Sequence, residues 1–187
     1  MNLKELKQKV LVLIEEYAPD EESKRLTADD DIENKMNDVI NQIMFEICRM
    51  RKIPKYIELP VKAGDLIDFE MLESECGYAI YQIKCVSGVL YEPKADGTIL
   101  KILESGTAEI DVFVYPDAIT SKTKDSYEFE LTPDVLEVMP YGIAADLLAT
   151  DVSSNYQEFR QRYEMMLARL DTRNNMPTIS VVGGINV

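Results

Sequence analysis

Residues 132–171 read TPDVLEVMPYGIAADLLATDVSSNYQEFRQRYEMMLARLD. Thr132 and Pro133 predict the opening of a short helical turn, since threonine suits the capping position and proline the first helical position. Pro140 lacks the amide that a helix interior needs, so it is expected to start a second helix. A break follows near Asp151. Ser154-Asn155-Tyr156-Gln157 fits the S-x-x-Q capping box and predicts a long amphipathic helix, with Tyr156, Phe159, Tyr163, Met166 and Leu170 on one stripe. Arg160, Arg162 and Arg169 lie off that stripe. This is a helical pair built to pack, and it holds no recognisable catalytic group.

Working outward, residues 3–17 also read as a helix, with Leu3, Leu6, Val10, Leu13 and Tyr17 on one face. Pro19 and the polar run after it end that helix. Thr27 is the expected cap of a second helix, with Asp29, Asp30 and Asp31 in its first turn, where acid groups suit the positive end of the helix dipole. Its stripe is Ile32, Met36, Val39, Ile43, Ile47 and Met50, widened by Ile40 and Met44. Arg49, Arg51 and Lys52 close it, and Pro54 is expected to stop it.

From Lys55 the texture changes to alternating and β-branched runs. Tyr56–Val61, Tyr78–Val86, Val89–Tyr91, Thr98–Leu103, Thr107–Tyr115 and Tyr127–Leu131 each read as strand, with Asp96-Gly97 as a hairpin signal. Residues 65–75 read as a short helix or an irregular loop. The predicted fold is therefore α+β. Residues 1–54 and 132–172 form a helical body, residues 55–131 an inserted antiparallel β subdomain (a small sandwich or barrel-like sheet), and residues 173–187 an extended tail. In that tail Thr178 to Val182 has strand character, and it either frays or adds to the edge of another sheet.

The chain carries 34 acidic and 20 basic residues, a net charge of −14. That excludes a phosphate-reading nucleic-acid binder, which needs clustered positive charge. It also argues against docking on anionic membrane, and the longest apolar run, Val10 to Ile14, is too short to span a bilayer. Residues 55–131 hold 7 basic and 15 acidic groups, whereas residues 152–187 hold 4 and 3. Such asymmetry suits head-to-tail contact between copies. There is no histidine and no CxxC pair among Cys48, Cys76 and Cys85, so a zinc site is not expected. Three thiols without a leader segment point to a reducing compartment.

Without histidine no Ser-His-Asp or Cys-His arrangement exists, and no GxxxxGK[ST] or GxGxxG loop occurs. Carboxylates are the remaining candidates for chemistry. Asp29, Asp30 and Asp31 would suit a hard divalent ion, but helix-start charge accounts for them; Asp65, Asp68 and Glu70 read as a solvated loop. Glu109 and Asp111 share one face of a strand, and with Lys84 or Lys101 nearby they would suit a metal-dependent nuclease. Strand alternation alone already explains that pair. The tyrosines of the β segment (Tyr78, Tyr81, Tyr91, Tyr115 and Tyr127) read as half-buried sheet packing, or as an interface or carbohydrate-stacking surface.

Three features of the C-terminal helical pair carry a resemblance: Pro140-Tyr141-Gly142-Ile143-Ala144-Ala145-Asp146-Leu147-Leu148, then Tyr156, Phe159 and Tyr163, then Ala168-Arg169-Leu170. Together with the acid-started helix over 29–50, this pattern resembles the head–tail adaptor (connector) proteins of tailed bacteriophages, in the larger type with an inserted β subdomain. About half the chain takes part in the resemblance. It implies a structural virion protein at the head–tail junction, made in the host cytoplasm. It further implies a ring, typically dodecameric, that binds the portal protein on one side and tail or neck proteins on the other. DNA would pass through without sequence recognition, past an acidic wall that repels it. No cofactor, metal or catalytic residue is implied.

Rings need heterologous contacts, and Arg160, Arg162, Arg169 and Arg173, with Thr178, Ile179, Val181 and Val182 of the tail, are the expected interface residues. The alternatives are a neck or tail-completion protein of the same particle, a metal-dependent nuclease or hydrolase using Glu109 and Asp111, and a carbohydrate- or protein-binding module formed by the β segment. Deletion of residues 174–187 is expected to weaken assembly, and an unchanged ring on a sizing column would remove the tail from the account.

Overall fold

The computed structural model describes residues 1–20, 22, 24–149 and 156–174. Helix α1, Leu3–Leu13, opens with a capping box: the Asn2 side chain accepts from the Glu5 amide at 2.9 Å, and Glu5 accepts from the Asn2 amide at 3.0 Å. It buries Leu3, Leu6, Val10 and Leu11. The helix stops earlier than its periodicity suggests, because Glu15 turns left-handed at φ 62. Tyr17 still packs against the helical core, and its hydroxyl accepts from Gln8 Nε2 at 2.8 Å.

Helix α2, Asp30–Met50, is capped by Asp29 and not by Thr27. The Asp29 carboxylate accepts from the amides of Asp31 and Ile32, while the buried Thr27 hydroxyl accepts from the Asp29 amide and shapes the turn before the helix. The charged acceptor sits nearer the open amides and takes the capping role. The buried stripe is Met36, Ile40, Ile43, Met44 and Ile47, with Ile32 and Val39 at its margin.

The chain then runs straight into β1, Ile53–Val61, so the helix has already ended before Pro54, which lies within an edge strand where a missing amide is tolerated. There follow β2 (Leu66–Asp68), α3 (Phe69–Cys76), β3 (Ile80–Ser87), β4 (Tyr91–Lys94), a single 3-10 turn at Ala95–Gly97, β5 (Ile99–Ile102) and β6 (Gly106–Val114). Asp68 caps α3 through the Met71 amide, and Gly77 ends it at φ 77. The strands form two antiparallel three-stranded sheets, ordered β1-β6-β3 and β2-β5-β4. Their inner faces share one apolar core, which includes Ile57, Leu59, Ile110 and Val112 from the first sheet, Ile67, Leu100 and Ile102 from the second, and Leu72 from α3.

The return segment 115–132 is not a strand. Of the strand expected at Tyr127–Leu131 only a single bridge survives, between Glu128 and Asn2. Ile119, Phe129 and Leu131 turn instead into the core of the helical body. The Asn41 side chain holds Ile119 as a strand neighbour would, donating to its carbonyl at 2.8 Å and accepting from its amide at 2.6 Å.

Helix α4, Pro133–Leu148, is continuous, and Pro140 lies inside it instead of starting a new helix. An interior proline costs about 3 kcal/mol. Ten buried residues on this one helix, several of which bury fully, outweigh that cost. Helix α5, Tyr156–Asn174, packs against α4, with Tyr163 and Leu170 buried and Phe159 and Met166 at the margin. The expected capping box at Ser154 lies outside the described residues.

Gly142 fixes the α4–α5 approach. A Cβ there would lie 2.8 Å from the Tyr163 ring and 3.0 Å from Ile43 Cδ1, so only glycine admits both neighbours. Gly142→Ala is therefore expected to destabilise by about 1–3 kcal/mol from overpacking, only partly offset by the roughly 1 kcal/mol helix preference of alanine. Urea unfolding reads the difference as a lower midpoint, and Tyr163→Ala should cost about 3–5 kcal/mol in the same assay.

Candidate functional site

The β segment is seated on the helical body by aromatic and cationic contacts at the end of α2. Phe45 meets the Tyr115 ring edge-on at 5.4 Å, and the Arg49 guanidinium donates to the Tyr115 hydroxyl at 3.1 Å. Tyr81 stacks near Phe113 and donates to the Cys48 carbonyl, while Lys52 lies 4.6 Å above the Phe113 ring. Burial pushes the Tyr81 phenol up to about 12 and the Cys48 thiol up to about 11, so both stay protonated at neutral pH. A second seam lies alongside: Arg51 pairs with Asp134 at 2.9 Å, and Glu130 accepts from Lys55 at 3.1 Å and from Tyr78 at 2.9 Å. These contacts join the two cores, which also meet at Ile53.

The outer face of β1-β6-β3 is exposed. Tyr56, Glu58, Glu109, Asp111, Lys84 and Cys85 lie on it, with Glu58 directly opposite Glu109 and Tyr56 directly opposite Asp111. Two like charges in register oppose folding. Asp111 is held by Cys85 and Lys84, both at 3.2 Å, which keep its carboxyl below the usual range; Glu109 accepts from Ser87 at 3.0 Å. Tyr56 donates to Glu58 at 2.8 Å, and its phenol rises to about 12 because of that bond and the surrounding carboxylates. The Cys85 thiol is likewise raised, first by its bond to Asp111, so it is a poor nucleophile.

The structure thus brings Lys84 to Asp111, as a nuclease site would want, but places Lys101 on the other sheet, across from Leu66 and Glu92. Asp29, Asp30 and Asp31 are spent on the α2 cap, on Arg25 at 2.6 Å and on Lys35 at 2.5 Å. Asp65 accepts from the Lys62 amide and Asp68 caps α3. Among the described residues no group of three or more Cys, Asp or Glu is arranged to hold a metal ion, and no helix is long and apolar enough to cross a membrane.

The expected interface residues are partly placed. Arg160, its side chain part-exposed, pairs with Asp146 at 3.6 Å and with Glu164 at 3.1 Å, and so bridges α4 to α5. Arg162 lies 4.4 Å over the Tyr141 ring and, with Arg169, lines a shallow depression of about 500 Å3 along the outer side of α5. Arg173 lies in the last turn of α5; Thr178, Ile179, Val181 and Val182 lie outside the described residues. Sequence reading missed a larger groove of about 880 Å3 between α1, α4 and α5, lined by Met1, Val12, Leu13, Pro140, Tyr141 and Met166 among others. Its signal was Val12, an apolar residue off the α1 stripe and 57% exposed. Met166 lines both, at the border between them.

Neither protein-family models nor curated proteins give a match to this chain.

The Lys55–Glu130–Tyr78 seam carries a pH signature. Hydrogen bonds from Lys55 and then Tyr78 hold the Glu130 carboxyl below its ordinary 4.5. A depressed carboxylate stabilises the fold above its unfolded pKa, and that contribution fades as pH falls through the folded value. Lys55→Met is expected to lower the thermal midpoint at pH 7 by an amount equivalent to no more than about 1 kcal/mol, given the pair's exposure. The gap to wild type should close below pH 4.5, and a gap independent of pH would show that Lys55 acts through packing alone.

Proposed function

We propose that this protein is a structural part of a tailed-bacteriophage particle: a head-to-tail adaptor whose copies form a ring between the portal protein and the tail. The observation that carries the reading is the α4–α5 hairpin. It is braced from within by Gly142, Tyr163 and Ile43, and from outside it presents two grooves that meet at Met166 and a half-exposed methionine, Met165, beside Arg162 and Arg169. Apolar surface left open on a rigid frame is what a protein uses to be gripped. The second sheet supports the same reading. By strand register Leu66, Leu90 and Leu103 fall on its outer face, each more than half exposed.

In a ring the net charge of −14 per copy would surround the channel with negative potential, so that DNA slides instead of binding. A neck or tail-completion protein would use the same surfaces and differ only in its partner. The hydrolase reading has the Lys84–Asp111 pair in its favour, but Glu109 and Asp111 lie on an open sheet face and not in a cleft that excludes water.

Negative-stain microscopy of the purified chain, alone and with a portal, is expected to show rings or portal-bound density, with no DNA cleavage in Mg2+ or Mn2+. Metal-dependent cleavage that disappears in Asp111→Asn, from a chain that neither assembles nor binds a portal, would overturn the proposal.

A further inference from the structure

Resting on that assembly reading, the geometry points to the occupant of the outer α5 face: the exposed β1-β6-β3 sheet face of a second copy of this chain. Glu158, Gln161, Arg162, Met165 and Arg169 recur at helical spacing and so form one outward stripe. Met165 stands near its centre, 58% exposed, and the two arginines flank it. A methionine that open to water, set between cations, suits a partner that is apolar at one point and acidic around it.

The sheet face has that character. Tyr56 is 56% exposed and is ringed by Glu58, Glu109 and Asp111. Glu58 and Glu109 face each other across β1 and β6 with no basic side chain among the described residues bonded to either, which leaves a repulsion that a cation from outside would relieve. The spacings of the two charge pairs differ by about 3 Å. Arg162 and Arg169 are separated by about 10.5 Å along the helix axis. Glu58 lies diagonal to Asp111, about 7–8 Å away. Two long arginine side chains span that difference once Arg162 swings off the Tyr141 ring, with Met165 laid on the Tyr56 ring.

The two patches are different surfaces on one chain, so the contact is heterologous and propagates from copy to copy, as a ring requires. It also explains how chains of strong net negative charge associate: the local field at the contact is of opposite sign even though the global charges repel.

The test uses two charge-reversed chains, Glu58→Lys/Glu109→Lys and Arg162→Glu/Arg169→Glu, followed by analytical ultracentrifugation over a salt series. The first substitution replaces one like-charged cross-strand pair by another and forfeits only the exposed bonds from Tyr56 and Ser87, so its melting temperature should fall only slightly. Each variant alone is expected to assemble roughly a hundredfold more weakly than wild type. Mixed in equal amounts they should assemble again, because each then offers the face the other lacks, and added salt should weaken the wild-type assembly. Wild-type rings that survive both reversals, or variants that mixing does not restore, would overturn this contact while leaving the ring itself intact. Variants that form rings but lose the portal would assign the stripe to the portal and equally overturn it. A wild-type chain that assembles neither alone nor on a portal would overturn the contact and the adaptor reading together.

Discussion

The close approach of Gly142 to the Tyr163 ring is the constraint on which the rest of the structure depends. It lets α5 lie directly on α4 and lets Ile43 of α2 reach the same point, so three helices meet where a single added methyl would separate them. Burial at this point also pushes the Tyr163 phenol far above its ordinary range, with the Glu46 carboxylate adding to the shift. An interior helix packed this closely tolerates Pro140, because the hydrogen bond the proline forfeits is small beside the apolar surface α4 buries.

From that frame the β segment is placed with little freedom. Phe45, Arg49 and Lys52 on and just beyond α2 meet Tyr115 and Phe113 on β6 and after it, and Arg51 reaches across to Asp134 at the start of α4. The chain leaves the helical body at Ile53 and returns along residues 115–132, and the return is pinned by Asn41 and by the buried Ile119, Phe129 and Leu131. The outer sheet face and the outer α5 stripe are thereby carried on one frame, the condition that the proposed contact between copies would need.

Much of this was legible in the sequence, because helical periodicity reports burial directly. The stripes of α2 and α5 and the strands at 80–87 and 106–114 follow from side-chain spacing alone. What was not legible depended on contacts distant in the chain. Tyr127–Leu131 alternates like a strand, yet Phe129 and Leu131 bury against helices, and no partner strand lies alongside among the described residues. Pro140 reads as a boundary until the burial of its neighbours is known. Thr27 and Asp29 are both capping residues, and only geometry decides between them. The open carboxylates Glu109 and Asp111 were found by alternation. The registration of Glu58 against Glu109 was not, since it depends on how β1 pairs with β6.

On the proposed reading, the open surfaces of the molecule are complementary to one another and to a portal protein. Native mass spectrometry of the purified chain mixed with portal rings tests this most directly. The account predicts a single closed stoichiometry, with adaptor copies added to an intact portal and no free intermediate series. A spectrum of unchanged portal beside monomeric chain at every concentration would contradict it.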